Sequence, residues 1–243
     1  MTLTYSVFTN IGNREVNEDS VGQIVSPEGH CFIVADGLGG HGHGERASAI
    51  AVQSGLDTFV RGADEDVLAR SFELAQSSVL TEQQMNPLVS DMKTTMVDLI
   101  IRTNAEARWG HIGDSRLYMF RGGMMTHHTS DHSVPQMLVN LGEITFEQIR
   151  GHEDRNRLIR VIGSPWDGKA YEISEGLTIQ AGDAFLLCSD GFWELIDEND
   201  MQRTLKAAKT VEQWMNMMVE IVMKNGASVN MDNNSAIAVW VNA

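Results

Sequence analysis

The sequence predicts an α+β protein, an antiparallel sheet or sandwich carrying helices. Three observations lead there. Short strand-like runs bounded by Gly, Pro and Asn dominate the chain and follow one another as hairpins. Helical periodicity comes in blocks. The steady strand–helix–strand alternation of a doubly wound parallel sheet is missing.

The elements follow in order. Residues 3–9, 21–26 and 30–36 read as short strands between polar turns. "ERASAIAVQSGLDTFV" (45–60) places Ala47, Ile50, Ala51, Leu56, Phe59 and Val60 at helical spacing. A second helix runs from Asp64 to about Met85, with Pro87 marking its exit. Strand-like segments return at 94–103, 106–113, 115–122 and 124–129, with Asn104 and Gly122–Gly123 as turn residues. Two or three shorter helices are expected between Asp131 and Ile162, then strands at 170–179 and 183–189. "TVEQWMNMMVEIVMKNG" (210–226) is helical, with Gly226 expected as its C-cap. "SAIAVWV" (235–241) is a terminal strand. Without repeats or linkers, residues 1–243 read as a single domain.

Composition narrows the function. The chain has 243 residues and a formal net charge of −15, so a phosphate backbone would be repelled and nucleic acid is excluded as a partner. Cys31 and Cys188 each sit in an apolar run without a CxxC partner, which predicts buried thiols and a reducing compartment. No leader-like segment and no run of 18 apolar residues is visible, so a cytoplasmic protein without a membrane span is expected.

"CFIVADGLGGHGHGE" (31–45) runs an apolar strand into an aspartate and then into glycines. "GLGGHG" satisfies G-x-G-x-x-G, and Asp57 lies where a ribose-binding acid belongs in a dinucleotide fold. Asp36 directly before the first glycine opposes that reading, because its charge would meet the pyrophosphate. The absence of βαβ units opposes it too. A metal site gains from repetition: "FLLCSDG" (185–191) again ends a buried strand on Asp-Gly. Asp114, Asp232 and Asp19 also sit at strand ends. A single Asp-Gly is ordinarily a turn. Several such acids converging at one sheet edge would repel unless neutralised, and oxygen ligands favour a hard ion such as Mg²⁺ or Mn²⁺.

"NREVNEDS", "VADGLGGHGHGE", "GHIGDSRLY", "LLCSDGFWE" and "DNNSAIAVW" resemble, in order and spacing, the motifs of PP2C-type (PPM) metal-dependent protein phosphatases, closest to the compact bacterial members. The resemblance spans about Asn13 to Val241. It implies a central β-sandwich flanked by helix pairs (α-β-β-α) with a flap at about 131–168. It also implies two Mn²⁺ or Mg²⁺ ions at one end of the sandwich. Asp36 would bridge both ions, the Gly37 carbonyl would bind one, and Asp190 and Asp232 would complete the other's shell. Glu18 and Asp19 would act through waters, and Asp114 with Asp190 would hold a third, weaker ion. Arg14 would grip the substrate phosphate, as a forked, permanently charged guanidinium can.

The implied activity is hydrolysis of phosphoserine and phosphothreonine by direct attack of a metal-activated water. The implied setting is a monomer opposing a Ser/Thr kinase and acting on its phosphorylated substrates. The alternative is a pseudo-phosphatase that keeps the fold as a binding module. Animal members carry a histidine after the metal-binding Asp-Gly, where this chain has Leu38. His41, His43 or a metal-bound water are the candidates for the general acid. Asp131 and His132 open the flap, where helix capping by Ser130 or Asp131 is expected. "HEDRNRLIR" (152–160) is either a phosphopeptide contact or a solvated helix. Most methionines of "WMNMMVEIVM" are expected in the core.

Overall fold

A computed structural model of the protein describes residues 2–38 and 43–243. Three strands, β1 (Thr2–Asn10), β2 (Asp19–Ser26) and β3 (Gly29–Leu38), lead into helices α1 (Gly44–Arg61) and α2 (Val67–Met85). Strands β4 (Lys93–Thr94), β5 (Met96–Arg102), β6 (Glu106–Ile112), β7 (Arg116–Arg121) and β8 (Met124–His128) follow. Helix α3 (Val134–Asn140), a 3-10 turn over Phe146–Gly151, and strands β9 (Glu172–Ile173), β10 (Leu177–Thr178) and β11 (Ala184–Cys188) come next. Helices α4 (Asp190–Trp193), α5 (Glu198–Ala207) and α6 (Val211–Gly226) precede the last strand, β12 (Asn234–Asn242).

One sheet has the order β1-β12-β11-β7-β8, the other β10-β6-β5-β3-β2, and all pairings are antiparallel. The two-residue period of a strand builds the layers. In β3, Phe32 and Val34 enter the core between the sheets, while Cys31, Ile33 and Ala35 pack on α1 and α2. In β11, Phe185 and Leu187 face that same inner core, and Ala184, Leu186 and Cys188 meet α5 and α6. Both strands are buried on both faces. That is why their sequences are unbroken apolar runs rather than alternating ones. The result is the expected helix–sheet–sheet–helix sandwich.

Several local expectations change. Helix α5 was not anticipated: it is capped by Asp197, whose side chain accepts the Asp200 N–H, but it buries only Met201, Thr204 and Leu205. Its apolar residues keep helical spacing, but the segment is so polar on average that it resembles a solvated loop. The strand expected at 170–179 is two two-residue bridges, β9 and β10. Gly226 is not a left-handed cap, because Ala227 ends α6 at φ −61. A Cβ at Gly226 would lie 1.7 Å from Met231 Cε, so the glycine is there for close packing. Met215 and Met218 are core residues, Met217 is half-buried, and Met223 is exposed. Cys31 and Cys188 are free and buried. Among the described residues no helix is long and apolar enough to cross a membrane.

Candidate metal centre

The acids singled out in the sequence meet at one end of the sandwich. Asp36 and Gly37 close β3, and Asp19 opens β2 directly opposite Asp36 in register. Asp114 lies in the turn between β6 and β7, Asp190 starts α4 after β11, and Asp232 stands two residues before β12. Asp36, Asp114, Asp190, Asp232, Glu18 and Arg14 share the walls of one cavity of about 650 Å³. Among the described residues, seven acidic and two basic ones line it, so it is strongly anionic.

The electrostatics follow from that imbalance. Withdrawal from water raises Asp36 well above the usual carboxylate range, and the charges of Asp190, Asp19 and Asp114 push it further. Asp114 is raised well above that range by burial and then by Asp190 and Asp131. Asp190 rises through burial, partly offset by a hydrogen bond with Asp36. Asp19 is pushed up to about 7, chiefly by burial. Its Oδ2 accepts the Ser189 hydroxyl at 2.8 Å, while its Oδ1 is buried without a partner among the described residues. Glu18 also rises, by burial first.

The basic residues offset only the rim of this group. Arg14 Nη2 lies 2.6 Å from Asp232 Oδ2, with both side chains well exposed, and Lys93 Nζ lies 2.8 Å from Asp91. An all-oxygen, like-charged, partly unsatisfied donor set fits a hard divalent cation. Arg14 does form the plain surface ion pair that is its simplest role, but its partner belongs to the cluster.

Backbone contacts set the carboxylates. The Asp36 N–H donates to Thr95 Oγ1 (3.0 Å) and the Asp36 carbonyl accepts the Thr94 hydroxyl (2.8 Å), so Asp36 is held from the end of β4 and the residue that joins it to β5. A Cβ on Gly37 would lie 2.2 Å from the Gly44 carbonyl oxygen, and one on Gly44 would lie 2.7 Å from Gly37. Only this pair of glycines lets α1 begin against the end of β3. Buried Asn233 gives Nδ2 to the Ile11 and Val16 carbonyls and accepts the Glu18 N–H at 2.8 Å, which fixes the loop carrying Arg14. The sequence reading missed Thr94, Thr95, Ser189 and Asn233. Ser189 and Asn233 lie inside the motifs of Asp190 and Asp232, whereas Thr94 and Thr95 carry no local signal, because their partners lie in distant segments.

The remaining candidates fall elsewhere. His43 is exposed at the entry to α1, with φ 78 and Nδ1 3.6 Å from Glu45; His41 lies outside the described residues. Leu38 lines the cavity. Asp57 lies on α1, where Gln53 donates to it at 2.7 Å. Neither Ser130 nor Asp131 caps α3: Ser133 does, accepting the Gln136 N–H, while Asp131 is buried against Arg116. Within 152–160 there is no helix, and Asn156 and Leu158 reach the cavity wall.

An anionic oxygen cavity at the end of an α-β-β-α sandwich defines the class, and the comparisons agree. The chain belongs to the protein phosphatase 2C family, whose model matches residues 9–232. It is similar to the serine/threonine protein phosphatase PstP of Mycobacterium tuberculosis, 32% identical over 227 residues, covering 89% of this chain and 41% of the relative. The chain thus spans about two fifths of the length of that relative. The serine/threonine phosphatase Stp of Listeria monocytogenes is 28% identical over 225 residues, covering 89% of this chain and 88% of Stp. Among solved structures, the catalytic domain of PstP in complex with two manganese ions superposes with a TM-score of 0.82 at 27% identity, covering 99% of each chain.

Proposed function

We propose that the protein is a metal-dependent protein phosphatase acting on phosphoserine and phosphothreonine. One observation carries this reading: distant strand-end carboxylates share a single cavity in which burial and mutual repulsion oppose their ionised forms. The manganese complex of PstP supports the choice of ion. In this reading Asp36, the Gly37 carbonyl, Asp190 and Asp232 would hold two Mn²⁺ or Mg²⁺ ions. Glu18 and Asp19 would act through waters, and Asp114 with Asp190 would hold a third, weaker ion. The ions, when bound, would neutralise phosphate charge and supply an activated water.

The chain's own residues do the rest. Arg14, half-exposed at the cavity wall, commits Nη2 to Asp232 and has further guanidinium donors for a phosphate oxygen. Asn233 and the Thr94–Thr95 pair hold their neighbours in register before substrate arrives. We further read residues 1–243 as one domain with 131–168 as its flap. The protein is read as a cytoplasmic monomer working on phosphorylated proteins opposite a Ser/Thr kinase.

Hydrolysis of p-nitrophenyl phosphate with Mn²⁺, with Mg²⁺ and with EDTA tests the proposal. Turnover is expected with either metal and none with chelator. Inactivity under all three conditions would favour the binding-module alternative.

A further inference from the structure

The turn that carries Asp114 is anchored residue by residue. The Gly113 N–H donates to His132 Nδ1 at 3.2 Å, and the Gly113 carbonyl accepts the His132 N–H at 2.9 Å. The Asp114 carbonyl accepts the Trp193 indole N–H at 2.9 Å. The Ser115 hydroxyl meets Thr95 Oγ1 at 2.7 Å, the same oxygen that accepts the Asp36 N–H. Arg116 gives Nε and Nη2 to the two oxygens of Asp131, both at 2.7 Å, and lies 3.5 Å over the Trp193 ring. Four consecutive residues thus have four different anchors. Two of these anchors, Asp131 and His132, open the 131–168 segment.

His132 reaches further. Its carbonyl accepts the Ile159 N–H at 2.8 Å, and Ser133 bridges to Leu158, which lines the metal cavity together with Asn156. Its ring stacks on His111, with centroids 4.8 Å apart and planes within 9°. His132 Nε2 lies 3.4 Å from Glu172 Oε1, and His111, His132 and Glu172 are close enough to share an ion. The hydrogen bonds argue against that use. His132 Nδ1 accepts from Gly113, so Nε2 carries the proton and faces Glu172. A metal-binding imidazole does the opposite, donating its second N–H to an outer acceptor. The imidazole is committed to the turn.

We infer that His132 is a positioning residue for Asp114, tying that carboxylate to the 156–159 stretch on the cavity wall. The inference rests on the phosphatase reading of the cavity. Losing the Nδ1 acceptor strands the Gly113 N–H and loosens the turn on the side that precedes Asp114, while its other anchors remain. Outer partners of metal ligands ordinarily account for about 10–100-fold in metal affinity.

Two variants separate positioning from packing. His132→Phe keeps an aromatic ring on His111 but has no acceptor; His132→Asn keeps an acceptor near the Nδ1 position but gives up the stack. In calorimetric Mn²⁺ titrations the weakest site of the Phe variant should weaken about 10-fold, and that of the Asn variant by no more than about threefold. The Mn²⁺ concentration for half-maximal turnover should rise in step for the Phe variant. Its kcat should fall while KM for p-nitrophenyl phosphate holds. Should His132→Phe not fold, His132→Leu, smaller and equally without an acceptor, carries the same expectation.

Identical isotherms for the wild type and the Phe variant would overturn the inference, as would a reversed order of the two variants. A wild-type isotherm without a weak third site would overturn it too. A wild type that binds Mn²⁺ yet hydrolyses nothing would instead overturn the phosphatase reading, and the isotherms would still decide the role of His132.

Discussion

Two buried carboxylate environments lie on the same sheet and could hardly differ more. Asp98, in the middle of β5, points into the layer between the sheet and α2. Its Oδ2 accepts the Ser71 hydroxyl at 2.8 Å, and its Oδ1 faces Cys31 Sγ at 3.5 Å. Burial pushes it up to about 6, and the two neutral donors hold it down from a larger rise. At the end of the adjacent strand, Asp36 faces three other acids and is driven much further. A lone buried acid can be satisfied by neutral donors, whereas a buried cluster needs a cation. The first is a structural solution and the second a binding site.

The largest expected effect lies in the cluster. Asp36→Asn should lower turnover by at least about 10², the loss expected of a principal electrostatic stabiliser. In EDTA the same variant should melt above the wild type, because one repelling charge is gone. A lower melting temperature there would break the comparison, since it would mean that the acids are satisfied without metal.

Asp98 gives a smaller effect with a definite sign. Its pKa is higher folded than unfolded, so its contribution to stability is fully present below pH 3.8 and is lost as pH rises through about 6. The stability of Asp98→Asn minus that of wild type should therefore climb by about 2 kcal/mol between pH 4 and 7, from a shift of about two pH units. Urea unfolding at a series of pH values measures this. A flat difference would show that Ser71 and Cys31 satisfy the anion completely.

Arg14→Lys keeps the charge but loses the fork. KM for p-nitrophenyl phosphate should rise by about 10-fold, the equivalent of about 1.4 kcal/mol, with a smaller change in kcat. Unchanged KM would reduce Arg14 to its ion pair with Asp232. His43→Ala should have the smallest effect, with kcat within about twofold, because an exposed side chain beside Glu45 is poorly placed for a defined proton transfer. A larger fall in the alkaline limb of the pH profile would return His43 to the general-acid role.

Much of the site was legible because chemistry and position coincide in the chain. Asp36 and Asp190 each follow an unbroken apolar run, so a strand end and a carboxylate are visible together. Asp114 and Asp232 stood out as further acids at strand ends, and Arg14 was found through motif resemblance. Thr95, Asn233 and His132 were opaque for a different reason. Each acts through a hydrogen bond to a backbone group at least 19 residues away in sequence, and nothing local records that bond. Asp131 looked like a helix cap because its neighbours are cap-like. Its true partner, Arg116, becomes visible only when β7 is laid beside the chain that follows β8.

Residue type and spacing alone determined the long strands, helices α1, α2 and α6, and which acids stand at strand ends. Those properties depend on a few neighbouring residues, where steric preference and burial period dominate. The tertiary structure decided which ends meet, how much charge the cavity holds, and which donors hold each carboxylate. Those depend on contacts between remote segments, whose energies exist only once both sheets and their helices have packed.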